Sequence, residues 1–261
     1  MPTPRPAVRG PRLFLVLLLI GGAACSGSSG QDRAGQGGPD QTRILVFAAA
    51  SLTDAFSDIE KAFETEHPDI DVQLNLAGSS QLREGILEGA PVDVFASADE
   101  INMDLVAAAL PEQSLEPAVF ATNRLVIAVP LGNPAGIASI EDFSRPDLLL
   151  GVCAAQVPCG SLAVDVLSAQ GVVPSLDTSE PDVRSLLAKI EGGDLDAGLV
   201  YATDTTDGRV ERLDIPSSGD FVNRYPIVAL GDDPSDAANE FVDFVMSSEG
   251  QAILAGHGFG S

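Results

Sequence analysis

The residues best placed for chemistry are hydroxyls at the starts of helical patterns: Ser51 in AAASL (48–52), and Ser79 with Ser80 in LAGSSQL (76–82). A serine nucleophile needs a base beside it. The two histidines are poor suppliers, His67 standing before Pro68 and His257 in a glycine-rich tail, and neither serine lies in a nucleophile elbow. An exported hydrolase is therefore a distant alternative, and the chain is expected not to be an enzyme. Only two lysines are present, Lys61 and Lys189, and neither follows a phosphate-binding glycine loop. Gly256, Gly258 and Gly260 precede no helix, which excludes a dinucleotide fingerprint. Asp93, Asp99 and Asp104 lack the spacing of a calcium loop, and most carboxylates read as solvated surface. No resident metal and no cofactor are expected. Cys153 and Cys159 have no further ligands at zinc spacing. In an exported chain they read as a disulfide, worth about 2–2.5 kcal/mol in the chain-entropy account.

Serine at a helix start is ordinarily an N-cap. The same geometry lets its hydroxyl and the exposed N–H groups hold an anion. The chain has 261 residues, with 14 basic side chains against 38 acidic ones and a formal charge of −24. That balance argues against nucleic acid, because little is available to displace counterions from a phosphate backbone. It does not exclude a small anion held by short-range neutral donors, since hydrogen bonds to a charged group contribute about 1.5–3 kcal/mol each.

The elements that position these groups follow from periodicity. Ile44–Ala48 is a short apolar run. Leu52, Phe56, Ile59 and Phe63 then mark one helix face, stopped by His67-Pro68. Val72, Leu74 and Leu76 alternate as a strand, and a helix carrying Leu82, Ile86 and Leu87 follows. Val92–Ala96 reads as a strand, 100–109 as a helix and Ala118–Val129 as a long extended stretch. The alternation then restarts: strand Leu148–Val152, helices Ser161–Gln170 and Asp182–Glu191, and strands Ala197–Val200, Val210–Ile215 and Pro226–Leu230. Helical patterns near 235–246 and 248–255 close the chain. Strands alternating with helices imply a parallel sheet, and two such units joined by extended segments imply two lobes with a cleft. Ligands of such sheets lie beyond the carboxyl ends of the strands. Ser51, Ser79, residues 153–160 and Tyr201 all fall there.

The first residues read as an address. Arg5, Arg9 and Arg12 precede an apolar run from Leu13 to Ile20, and small residues lead to Cys25. The apolar stretch is too short to span a bilayer. Cys25 after small residues resembles a bacterial lipobox, so residues 1–25 are expected to be a lipoprotein signal peptide with Cys25 acylated. Residues 26–41, rich in Gly, Ser and Gln, read as a flexible tether.

Four segments carry a family resemblance: ILVFAAASLTDAF (44–56), EGAPVDVFASAD (88–99), PDVRSLLAKIEGGDLDAGLVYATD (181–204) and NRYPIVAL (223–230). Together they resemble the molybdate-binding proteins of bacterial ABC transporters, over essentially all of 43–261. The resemblance implies an α/β, two-lobed type II periplasmic-binding-protein fold with its ligand in the cleft between the lobes. It implies capture of molybdate, with tungstate, and delivery to a membrane permease driven by a cytoplasmic ATPase. Another oxyanion, sulfate or phosphate, is the alternative cargo. Carried onto this chain, the resemblance places hydroxyl ligands at Ser51, Ser79 and Tyr201 and backbone amides at Cys159 and Val183. Ser80 is an additional candidate, because Gly78 replaces a serine often found there. The expected division is 42–122 and 223–261 for one lobe and 123–222 for the other. A monomer, exported and lipid-anchored to the outer face of the cytoplasmic membrane or periplasmic, is expected.

Overall fold

The computed structural model describes residues 41–216 and 218–261. The expected signal peptide, Cys25 and all of the tether but Gln41 lie outside the described residues. Among the described residues no helix is long and apolar enough to cross a membrane.

The first half of the chain builds β1 (Thr42–Ala49), α1 (Thr53–Glu66), β2 (Ile70–Ala77), α2 (Ser79–Leu87), β3 (Val94–Ala96) and α3 (Glu100–Ala109). β1 lies between β2 and β3 and is parallel to both, with Val46 opposite Leu74 on one side and Val94 on the other. Because side chains alternate across a strand, β1 feeds two cores. Ile44, Val46 and Ala48 join Phe56, Ile59 and Phe63 of α1. Phe47 points the other way, to Leu82 and Ile86 of α2 and Met103 and Val106 of α3. The sheet is thus covered on both faces, as a parallel sheet requires.

The long strand β4 (Ala118–Pro130) leads to β5 (Leu150–Cys153), α4 (Pro158–Ala169), β6 (Thr178–Glu180), α5 (Val183–Glu191), β7 (Ala197–Tyr201) and β8 (Val210–Leu213). These elements enclose another core, around Leu125–Val129, Phe143, Leu150, Leu186 and Leu199. β9 (Val222–Ala229) then returns beside β3, and α6 (Asp236–Met246) and α7 (Ser248–Gly256) finish the chain.

The strand order is β2-β1-β3-β9-β4-β7-β5-β6, with β8 on β4. The expectation of a parallel sheet holds within each half and fails at the middle, where β9 pairs antiparallel with both β3 and β4, and β4 antiparallel with β7 and β8. β4 pairs with β9 as far as Arg124 and with β7 from Leu125, so one strand serves both halves. β6 is a strand the pattern did not mark, and several bounds differ from the periodicity: β3 begins at Val94 rather than Val92, β5 spans Leu150–Cys153 rather than Leu148–Val152, β8 ends at Leu213 rather than Ile215, β9 begins at Val222 rather than Pro226, and α4 begins at Pro158 rather than Ser161. In α4, proline at the first helical position is pre-set for helix, which brings Cys159 into the first turn.

Candidate functional site

One small cavity is lined by Ser51, Ser79, Cys159, Val183 and Tyr201, together with Ala50, Gly78, Ala98, Asp182 and their neighbours. Its volume is about 20 Å³, by a measure in which a single buried water needs about 10–15 Å³. That suits a compact inorganic ion and not a sugar or peptide. No lysine, arginine or histidine is among its lining residues.

Each of these five residues lies where a strand ends or a helix starts. Ser51 sits in a 3-10 turn, Ala50–Leu52, between β1 and α1, and its hydroxyl lies 3.0 Å from that of Tyr225. Ser79 opens α2, and its Oγ accepts the N–H of Ala98 at 3.0 Å. A hydroxyl whose oxygen is occupied in this way keeps its single proton for another partner. The cap positions are unusual. Ala49 before the turn, Gly78 before α2 and Val157 before α4 make no side-chain cap, although Ser, Thr, Asp and Asn are preferred there. The first N–H groups of these helices therefore stay open to a ligand.

In α4, Pro158 has no N–H, while Gly160 and Ser161 donate to the Val157 carbonyl. Cys159 is thus the first amide without an intrahelical acceptor. A disulfide joins Cys159 to Cys153 at the end of β5, with their Cα atoms 5.7 Å apart, tying this helix start to the sheet. Gly160 is needed for the same fit, because a Cβ there would lie 1.9 Å from the Ala154 carbonyl oxygen. At α5, Asp182 caps the helix. One carboxylate oxygen accepts the Ser185 N–H at 2.9 Å and the other the Ser185 hydroxyl at 3.0 Å. The acid lining the cavity is thereby occupied, and the Val183 N–H is left as the first amide of the helix.

Tyr201 ends β7, fully buried, with its ring centroid 6.1 Å from that of Tyr225. Burial pushes both phenols well above their ordinary pKa, so both stay protonated. Asn223 of β9 donates to the Tyr201 hydroxyl oxygen at 2.6 Å. Behind Tyr201, buried Asp204 accepts its backbone N–H at 3.0 Å. Burial raises this carboxyl to about 7.

Ser80 is not among the cavity-lining residues. Its hydroxyl donates to the Gln156 carbonyl at 2.7 Å, from the first half of the chain to the second. Arg184 Nη1 meets Asp54 Oδ2 at 3.0 Å across the same junction. A Cβ on Gly78 would lie 2.8 Å from the Pro181 carbonyl oxygen. The glycine therefore admits a close approach that the family's serine would obstruct. Neither histidine is near this chemistry: His67 meets Glu240 and His257 meets Asp58. Among the described residues, no group of three or more His, Cys, Asp and Glu side chains could hold a metal ion. Sequence reasoning missed Asn223, Tyr225 and the Ala98 amide. NRYPIVAL contains the first two, but nothing local in it says which hydroxyl each would meet.

Residues 44–260 match the family described as bacterial extracellular solute-binding protein. The chain is 38% identical to the molybdate-binding protein ModA of Mycobacterium tuberculosis over 252 residues, covering 95% of each. Among solved structures it is similar to the periplasmic molybdate-binding protein of Azotobacter vinelandii, with TM-score 0.67, 17% identity, and 83% and 98% of the two chains covered. It is also similar to the sulfate-binding protein SubI of Mycobacterium tuberculosis, with TM-score 0.71, 16% identity, and 84% and 86% covered. At such identities the two structures speak for the fold and leave the cargo open.

Proposed function

The chain belongs to the bacterial extracellular solute-binding proteins, and we propose that it captures molybdate, with tungstate as an equivalent cargo, and hands it to an ABC-transporter permease. The observation that carries this reading is the cavity itself. Ser51, Ser79, Cys159, Val183 and Tyr201, from distant parts of the chain, all line it, no Lys, Arg or His does, and its volume is on the scale of one small ion. The relative with 38% identity supports molybdate as that ion.

Ser51, Ser79 and Tyr201 donate through O–H, and Cys159 and Val183 through N–H. Five hydrogen bonds to a dianion at about 1.5–3 kcal/mol each total roughly 7.5–15 kcal/mol, which brackets the roughly 12 kcal/mol of a nanomolar complex before ordering costs are deducted. Neutral donors hold the ion while the halves are together and give it up when they part. A docked permease then needs only to favour the open form. β4 and β9 are the crossing strands, and the lobe boundaries fall at 122/123 and 222/223. The signal peptide, acylation at Cys25 and the tether would keep a monomeric receptor beside its transporter, on the outer face of the membrane.

Isothermal titration tests the assignment. One tight site for molybdate is expected, with Ser51→Ala and Tyr201→Phe each weakening it by about 10–100-fold. Unchanged affinity in both variants would refute it. Sulfate is the second reading, because an all-donor cavity serves any fully ionised tetrahedral dianion. Displacement of bound molybdate by equimolar sulfate would favour it.

A further inference from the structure

The chain has two tyrosines and no tryptophan, and the two tyrosines stand side by side. Tyr201 lines the cavity and Tyr225 does not. Tyr225 lies on β9 opposite Ala121 of β4, where the crossing strands pair. It is fully buried, and three rings meet its own edge to face: Phe120 of β4 at 6.2 Å, Tyr201 of β7 at 6.1 Å and Phe259, beyond α7, at 5.5 Å. Its hydroxyl lies 3.0 Å from that of Ser51, and the Tyr201 and Asn123 side chains also face it. We propose that Tyr225 is a positioning residue whose hydroxyl links Ser51, a ligand hydroxyl of one half, to Tyr201, a ligand hydroxyl of the other, and sets both for the ion. This rests on reading the cavity as an oxyanion site.

The argument starts from the supply of protons. A serine hydroxyl has one proton and two lone pairs. When Ser51 gives its proton to an ion, its oxygen is left to accept, and the neighbour placed to donate is Tyr225. Burial holds the Tyr225 phenol well above its ordinary pKa, so that proton stays in place. Tyr201 has the complementary need. Asn223 donates to its oxygen at 2.6 Å, and its one proton can go to Tyr225 or to an ion in the cavity. Tyr225 is thus a donor toward Ser51 and an acceptor toward Tyr201, two roles that a phenol fills and a phenyl ring cannot. The three packed rings restrict where its oxygen can stand, and that oxygen in turn fixes the Ser51 hydroxyl before an ion arrives. Ordering in advance spares binding the cost of freezing a rotor.

Tyr225→Phe keeps the ring and removes the hydroxyl. Isothermal titration of the full chain with molybdate should show it weakened by about 10-fold. A double-variant cycle with Ser51→Ala separates positioning from general damage. In the Ser51→Ala background the further loss from Tyr225→Phe should stay under about threefold, because its partner has already gone. Tyrosine fluorescence gives a second reading with Tyr225 left intact. In Tyr201→Phe the sole tyrosine is Tyr225. Saturating molybdate should change its emission through Ser51, although Tyr225 does not line the cavity.

Binding by Tyr225→Phe within about threefold of the parent would overturn the proposal. So would equal losses in the parent and Ser51→Ala backgrounds, which would mark Tyr225 as structural only. An unchanged Tyr225 emission in molybdate-saturated Tyr201→Phe would also overturn it. Ser51→Ala and Tyr201→Phe, titrated alone, test the underlying reading. If both bind like the parent, the cavity assignment fails. If both are weakened while Tyr225→Phe is not, only the present inference fails.

Discussion

Burial lifts the carboxyl of Asp204 to about 7, against 3.8 for an exposed aspartate. Arg184 and the Tyr201 N–H pull it down, while Asp54 and Asp207 push it further up. Between about pH 4 and about pH 7 the folded chain holds a proton that the unfolded chain has lost. Stability therefore falls as pH rises through that window and levels off above it. Asp204→Asn keeps an acceptor for the Tyr201 N–H and removes the charge. It should be more stable than the parent by up to about 4 kcal/mol near pH 8, with the gain vanishing near pH 4. Urea unfolding at the two pH values checks this, and an equal difference at both would contradict it. The five proposed donor positions can be read at this scale because each lies where a strand ends or a helix starts, and all five line one cavity. Tyr225 was not, since it meets Ser51 across 174 residues of sequence and no local period marks such a pair.

Helix starts carry the element-scale argument. Ala49 and Val157 are weak caps, which costs stability, and Gly78 has no side-chain acceptor, so N–H groups at these three starts stay available to an anion. Gly78 also allows α2 to approach Pro181. Gly78→Ala should hold the two halves apart and weaken molybdate by about 10-fold or more while shifting the melting temperature little. Unaltered affinity would show that this approach does not matter for binding. The Cys153–Cys159 bond closes a short loop, and Cys159 lines the cavity. Replacing both cysteines with serine should cost about 2 kcal/mol of unfolding free energy, read from the urea midpoint. The elements most visible in the sequence were those with a strong apolar period, such as α1. β6 was hidden because Thr178, Ser179 and Glu180 are three polar residues held by pairing with β5. The start of β9 was hidden because Asn223 and Arg224 interrupt its apolar run. The start of α4 was hidden because Val157 sends no cap signal.

At the scale of the whole molecule, an acidic chain is to hold a dianion. The long-range field opposes this, but surface charges are screened within about 8–10 Å in physiological salt, and the donors act at contact distance. The apolar cores of the two halves are joined through β4 and β9, which lets closure over an ion be read as stability. Molybdate at about 1,000 times its dissociation constant should add about 4 kcal/mol, raising the melting temperature by roughly 8–16 °C for a chain of this size. Absence of any shift would contradict tight binding. The two-lobed α/β architecture was legible from alternating strands and helices. The antiparallel centre was not, because β9 joins the sheet more than a hundred residues after β3, its partner. The most direct test is a crystal of the chain grown with molybdate, with the metal located by its anomalous scattering. A single metal peak is predicted in the cavity, its oxygens about 2.7–3.2 Å from the Ser51, Ser79 and Tyr201 hydroxyls and the Cys159 and Val183 amides. A peak elsewhere, or a lysine or arginine neutralising the ion, would contradict the account.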